Sequence, residues 1–218
     1  MNPPAASILV IDSHPIVRDG IVAVLSAALP EMSLASSGSF PEALEHIAST
    51  PIDLFITDFR VREHTALTFL EKLKEERSTT RCVILSALDE IQIGHPCIRA
   101  GASGFVKKSS PTSIVVEAVR SILAGRSFIS ESLARALADG SLPHDTTLSV
   151  SSLSPRELEI FTHIGGCLTV SQIATRLGLS VKTVEAHREH IKNKLALQTS
   201  SQVAAAAIRW NDTSSISI

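Results

Sequence analysis

Gln172–Leu195 reads QIATRLGLSVKTVEAHREHIKNKL, and this stretch decides the carboxyl-terminal third of the chain. A short apolar-periodic segment ends at Leu177, Gly178 interrupts it, and Ser180 opens a longer one. Glycine takes the left-handed backbone that closes a helix, and serine accepts from the free amides that open one, so the order reads helix, turn, helix. In the second helix Val184, Ile191 and Leu195 share one face, while Lys182, Glu185, Glu189 and Lys192 recur at three- and four-residue steps on the other. An apolar inner stripe behind a polar outer face suits a helix that enters a DNA major groove. The plainer alternative is a four-helix domain whose charged face is simply solvated. For His187, a packed or phosphate-facing role outweighs metal ligation, because no partner lies at ligand spacing in the sequence.

Working outward, the caps of three more helices are legible. Ser154-Pro155-Arg156-Glu157 places an N-cap serine, a proline at the first helical position and a glutamate at the third, with Leu153 and Leu158 as a hydrophobic staple. Gly165-Gly166 stops that helix. Thr169 to Gln172 repeats the capping spacing before the short helix, and Thr199 to Gln202 opens a last helix reaching Trp210. Upstream, Asp139 to Ser152 is rich in Ser, Thr, Gly and Pro without sustained period and reads as a linker; Ser130 to Ala138 before it reads as an extra helix lying on the first domain.

The amino-terminal half alternates differently. Strand-length apolar runs occur at Ile8 to Ile11, Ile52 to Ile56, Val83 to Leu85 and Phe105 to Val106, with a weaker one at Met32 to Ala35. Between them lie helical periods through Ile16, Ile21, Val24, Leu25 and Ala28, from Pro41 to Ala48, through Leu67, Leu70 and Leu73, and from Thr112 to Leu123. Strands alternating with helices predict a doubly wound, five-stranded parallel sheet, followed by a small all-α domain of four helices. The expected boundaries are 1–125 for the α/β domain, 126–150 for a partly helical linker and 151–218 for the helical domain.

Four polar residues fall just after strands of this sheet: Asp12, Asp58, Ser86 and Lys108. Parallel strands bring their carboxyl ends to one edge, so distant residues would share one pocket. Two carboxylates, a hydroxyl and an ammonium suit phosphoryl transfer to a carboxylate: acids hold Mg²⁺, one acid is the nucleophile, and the hydroxyl and ammonium contact the new phosphoryl oxygens. Taken singly these residues have simpler readings, with Ser13 capping the first helix and Asp12 favouring its positive end.

LSPRELEI together with IATRLGLSVKTVEAHREHIKNKL resembles the LuxR-type helix-turn-helix of NarL/FixJ response regulators. ILVIDSHPIVRDG, PIDLFITD, VILSA and GASGFVKK, spanning residues 7–124, resemble the flavodoxin-like receiver domain of two-component systems. The resemblance implies that Asp58 is the phosphoacceptor, Asp12 a metal-site acid and Arg60 a backbone-carbonyl ligand. It implies Ser86 and Lys108 as phosphoryl contacts and Phe105 as the aromatic that reports the switch. In the second domain it implies Lys182, Thr183, Arg188 and Lys192 as phosphate contacts on double-stranded DNA, with Glu185, Ala186 and Glu189 facing bases. The implied partners are a histidine kinase and, through the last helix, a second copy of the chain. The sequence departs from the family at Ser13, where a second acid is usual, at Arg62 and Thr65-Ala66 in FRVREHTAL, at Ser109, and at Gly94-His95-Pro96, which interrupts the expected fourth helix.

Charge supports this division modestly: the net charge is −2, with about −4 over residues 1–150 and +2 over 151–218. No uncharged run approaches the length that crosses a bilayer and MNPPAAS lacks a signal-peptide pattern, so a cytoplasmic protein is expected. Cys82, Cys97 and Cys167 are odd in number and scattered, which points to reduced, mostly buried thiols and no zinc framework. Three functions fit in descending order: a phosphorylation-responsive transcription factor, a DNA-binding protein with a phosphate-independent receiver, and an aspartate-nucleophile phosphatase. The last needs an acid two residues after Asp58, where this chain has Arg60.

Overall fold

The computed structural model describes residues 6–62, 64–75, 79–88, 90–139 and 150–215. The chain divides into two compact units, 1–139 and 140–218. Residues 140–149 of the expected linker lie outside the described residues.

In the first unit, near-continuous apolar runs make β1 (Ser7–Ile11) and β3 (Leu54–Asp58), interior strands buried on both faces as parallel sheets require, while β2 (Ser33–Ser37) is a more polar, half-exposed edge strand. A two-residue hairpin follows, β4 (Arg60–Val61) with β5 (His64–Thr65). The sheet is completed by β6 (Arg81–Ser86) and β7 (Gly104–Lys107). The five-stranded order is β2-β1-β3-β6-β7, all parallel, with Ile8 opposite both Leu34 and Leu54, Phe55 opposite Cys82, and Ser86 opposite Lys107. The order reverses between β1 and β3, so the crevice outside those strand ends is where a site belongs.

Helices α1 (Pro15–Ala28), α2 (Phe40–Ser49), α3 (Ala66–Glu75), α4 (Glu90–Ala100) and α5 (Thr112–Leu123) connect the strands. Leu25, Leu29, Val119 and Ile122 pack with Ile8, Val10, Ile56 and Val83 in one core cluster. Elsewhere in the unit Phe40 stacks on Phe69 at 4.6 Å, and Phe69 meets the edge of Phe55. Each fully buried side chain of this size contributes roughly 1.5–3 kcal/mol.

Two expectations need correction here. Ser13 does not cap α1: the N-cap residue is His14, no side chain serves that end, and Asp12 Oδ1 accepts instead from the His14 amide at 2.8 Å. Nor does Gly94-His95-Pro96 interrupt the fourth helix, because α4 runs through Pro96 with Ile93, Cys97 and Ala100 buried, and tertiary packing outweighs local propensity. Gly94 has a packing role, since a Cβ there would stand 2.8 Å from Leu133 Cδ2 of α6 (Glu131–Asp139). The α6 helix thus lies against α4, as the extra helix of the first domain, with the Ser130 amide donating to Glu90 Oε1 at 3.1 Å. Just before it, Phe128 extends the sheet edge, accepting from the Phe105 amide and donating to Ser103 O.

The second unit holds α7 (Pro155–Gly165), α8 (Val170–Leu177), α9 (Val181–Lys194) and α10 (Ser200–Ser215), the last running past Trp210. Both capping boxes form, Ser154 with Glu157 and Thr169 with Gln172, and Ser180 caps α9. Leu158, Phe161, Ile173, Val184, Ile191, Val203 and Ala207 make the core. Two of the three cysteines, Cys82 and Cys97, are buried, while Cys167 is exposed. Among the described residues no helix is long and apolar enough to cross a membrane.

Candidate functional site

Asp12 follows β1, Asp58 closes β3, Ser86 closes β6 and Lys108 follows β7, so the parallel register delivers all four to one edge. Three of them meet. Lys108 Nζ donates to Asp12 Oδ2 at 2.8 Å and to Asp58 Oδ2 at 2.7 Å. Asp12 is almost wholly buried, and the Lys108 and Asp58 side chains retain 18% and 13% of their exposure, so the ion cluster sits in a shallow, partly dry pocket. Burial pushes the Asp58 carboxyl above its ordinary value despite the pull of Lys108. Burial alone would lower the Lys108 ammonium, but Asp58 and Asp12 together more than offset it and the net direction is up. Lys108 is therefore held protonated against two acids.

Ser86 stands on the neighbouring strand end, where its backbone carbonyl accepts from the Lys108 amide at 2.8 Å. Its own hydroxyl accepts from the Leu88 amide at 3.1 Å and so orders the turn into α4. Phe105, three residues before Lys108, is buried at 3% exposure. Arg60 begins the β4–β5 hairpin directly after Phe59; burial lowers its guanidinium, and the nearby Asp58 charge works against that. The position two residues past Asp58 thus carries no carboxylate.

Sequence reasoning missed His14 and Ile16. His14 Nδ1 lies 3.0 Å from Asp12 Oδ1, and Asp12, His14 and Asp58 form a group whose potential ligand atoms lie within 4.8 Å of one another. Ile16 is 82% exposed in the first turn of α1, four residues after Asp12 in sequence. The signal for both was the HisProIle run where a capped helix start was expected.

In the second unit, α9 presents Lys182, Glu185, Ala186 and Glu189 to solvent, with Thr183, Arg188 and Lys192 half-buried. Thr183 Oγ1 shares a hydrogen bond with the Ser180 hydroxyl at 2.8 Å, and Lys192 Nζ lies 2.5 Å from Glu189 Oε2. Val181, exposed at 45%, stands at the helix start. Burial lowers the His187 imidazole.

An acid pocket bridged by lysine at the carboxyl edge of this parallel sheet, in one chain with a helix-turn-helix, defines a response regulator with a DNA-binding output domain. The chain belongs to that family: residues 8–120 match the response regulator receiver domain and residues 151–207 match the luxR family of bacterial regulatory proteins. It is 31% identical to the Fimbriae Z protein of Escherichia coli (strain K12) over 194 residues, covering 88% of this chain and 91% of that protein. It is 30% identical over 203 residues to the transcriptional activator protein ExaE of Pseudomonas putida, covering 92% and 95%. In fold it is similar to RcsB from Salmonella enterica serovar Typhimurium, solved on promoter rprA with a phosphomimetic: TM-score 0.73 at 18% identity, over 94% of this chain and 98% of that one.

Proposed function

We propose that Asp58 accepts a phosphoryl group from a histidine kinase and that this acceptance governs DNA binding by α9. The observation that carries the reading is the Lys108 ammonium, held between the two carboxylates at 2.7 and 2.8 Å. In the transfer, an Asp58 carboxylate oxygen attacks the phosphorus of a phosphoimidazole, the P–N bond breaks, and the imidazole leaves with the electron pair and is protonated from solvent. The product takes the charge at Asp58 from −1 to about −2, which Lys108 offsets in part. The Ser86 hydroxyl then leaves the Leu88 amide for the new oxygens, loosening the turn into α4, and Phe105 moves with it. Ile16, exposed in the first turn of α1, offers the kinase an apolar contact.

Asp12, Asp58 and the Arg60 carbonyl are hard oxygen donors of the kind Mg²⁺ takes, with water in place of the acid missing at Ser13. When bound, that ion supplies positive charge to the phosphoryl oxygens. The chain then acts as a cytoplasmic transcription regulator rather than a turnover enzyme. Lys182, Thr183, Arg188 and Lys192 contact phosphates of double-stranded DNA, Glu185, Ala186 and Glu189 face base edges, and the exposed Ala205 and Ile208 of α10 pair two copies. A second reading, a receiver that works through partner binding without phosphate, draws support from Ser13 and from Arg62, whose φ of 56° shapes the loop after Asp58.

The test of DNA reading is selection from random duplexes, followed by anisotropy across a salt series. Lys182→Ala is expected to weaken all sequences alike and to reduce the salt slope by about 1. Glu185→Ala is expected to change which bases are chosen. Unaltered affinity and base choice in both variants would remove α9 as the reading helix.

A further inference from the structure

Away from the acid pocket, three metal-ligating side chains converge where α7 meets α9. Glu157, His187 and His190 each bring one donor atom, and these atoms lie within 4.8 Å of one another. His190 Nδ1 stands 3.9 Å from Glu157 Oε1. The other carboxylate oxygen, Oε2, is engaged by Lys194 Nζ at 2.6 Å and by the Ser154 amide at 2.7 Å, which leaves Oε1 turned to the histidines. The two imidazoles sit three residues apart on one face of α9, with rings perpendicular and centroids 6.4 Å apart. His187 Nδ1 is buried with no hydrogen-bond partner among the described residues. A nitrogen shut off from water and from protein partners is costly to keep, and a bound ion would satisfy the ring.

We infer that Glu157, His187 and His190 form a site for a divalent transition-metal ion of the zinc type, joining the first helix of the domain to α9. One carboxylate and two imidazoles are the donor set of such ions, which commonly keep water in a further position. Bonds of about 2.0–2.2 Å require donors roughly 3.3–3.5 Å apart, so the present cluster needs to close by about an ångström. His190, with 65% of its side chain exposed, can supply that movement by rotation. Two cations border the site. Lys194 is 41% exposed and engaged on the far oxygen, Glu157 Oε2, at 2.6 Å, and Arg156 is engaged by Glu159 at 2.6 Å and by Leu177 O at 2.8 Å. The ion would fix α9 against α7 and so tune DNA affinity; that consequence rests on α9 being the reading helix, whereas the site itself does not.

The experiment is a Co²⁺ titration of the full chain in excess Mg²⁺, read by visible absorption, with Zn²⁺ displacement. Wild type is expected to take one Co²⁺ per chain at a nitrogen- and oxygen-coordinated site, with affinity falling at least tenfold in His190→Ala and unchanged in His14→Ala. His190 is exposed, so its variant folds, and matching metal-free melting curves verify this; Glu157→Gln, which keeps an acceptor for the helix cap, provides a second ligand loss. No absorption band, or affinity unmoved by His190→Ala and Glu157→Gln, would overturn the site. Loss in His14→Ala instead would place the ion in the receiver and likewise overturn it. If the site stands but Zn²⁺ leaves DNA anisotropy unchanged in wild type, the coupling to DNA fails and the site remains.

Discussion

Lys108 Nζ and Asp58 Oδ2 stand 2.7 Å apart, and the same ammonium holds Asp12 at 2.8 Å, so a single cation balances two acids that would otherwise repel at close range. Removing one partner of a mostly buried ion cluster leaves uncompensated charge, at a cost of about 3–5 kcal/mol when burial is complete. Because the pocket is partly open to water, Lys108→Ala is expected to cost about 1–3 kcal/mol in urea unfolding. Its pH dependence has a definite sign. The Lys108 pKa is raised by its acids, so its stabilisation is full below the ordinary lysine value of about 10.4 and is lost as pH rises through the higher folded value. Wild type should therefore converge on Lys108→Ala in strong alkali. A constant gap across that range would contradict the pairing.

Glu157 gives the opposite sign in the second unit. Burial opposes its ionisation, but hydrogen bonds from Lys194 and Ser154 outweigh burial and hold the carboxyl below its usual value. Its contribution is present above about pH 4.3 and is lost as pH falls through the lower folded value. Glu157→Ala should cost about 1–2 kcal/mol at neutral pH through the lost cap and should flatten the acid limb of thermal melts. An acid limb as steep as that of wild type would assign the lowered pKa no part in stability.

Gly165 sets how closely α7 and α10 approach. A Cβ placed there would fall 2.2 Å from Ala207 O and 2.7 Å from Asn211 Nδ2, and the nearer of these is backbone that cannot turn aside. Gly165→Ala is expected to lose about 3 kcal/mol, the upper end for an overpacked contact, despite alanine's better helix propensity. A neutral or stabilising result by circular dichroism melting would mean that the two helices are not held this close.

What the sequence revealed was local or periodic. The apolar runs of β1, β3 and β6 and the cap at Ser154 depend on neighbours a few residues away, and each lies within a residue or two of its expected place. The edge placement of Asp12, Asp58, Ser86 and Lys108 followed from the parallel topology alone. What it hid was tertiary. The β4–β5 hairpin has no glycine-bearing turn to announce it, and α4 passes through Pro96 because buried Ile93 and Cys97 hold it to the unit. The three-residue spacing of His187 and His190 was visible, but Glu157 lies thirty residues from His187, so the third member of the cluster was hidden from any spacing rule.

The most direct test of the central claim is intact mass after incubation with acetyl phosphate and Mg²⁺, comparing wild type with Asp58→Asn. The account predicts the gain of one phosphoryl group in wild type only, with Lys108 and the oxygen donors sufficient despite Ser13. No gain in folded wild type, either from acetyl phosphate or from a phosphorylated histidine kinase domain, would contradict it and leave the phosphate-independent receiver in its place.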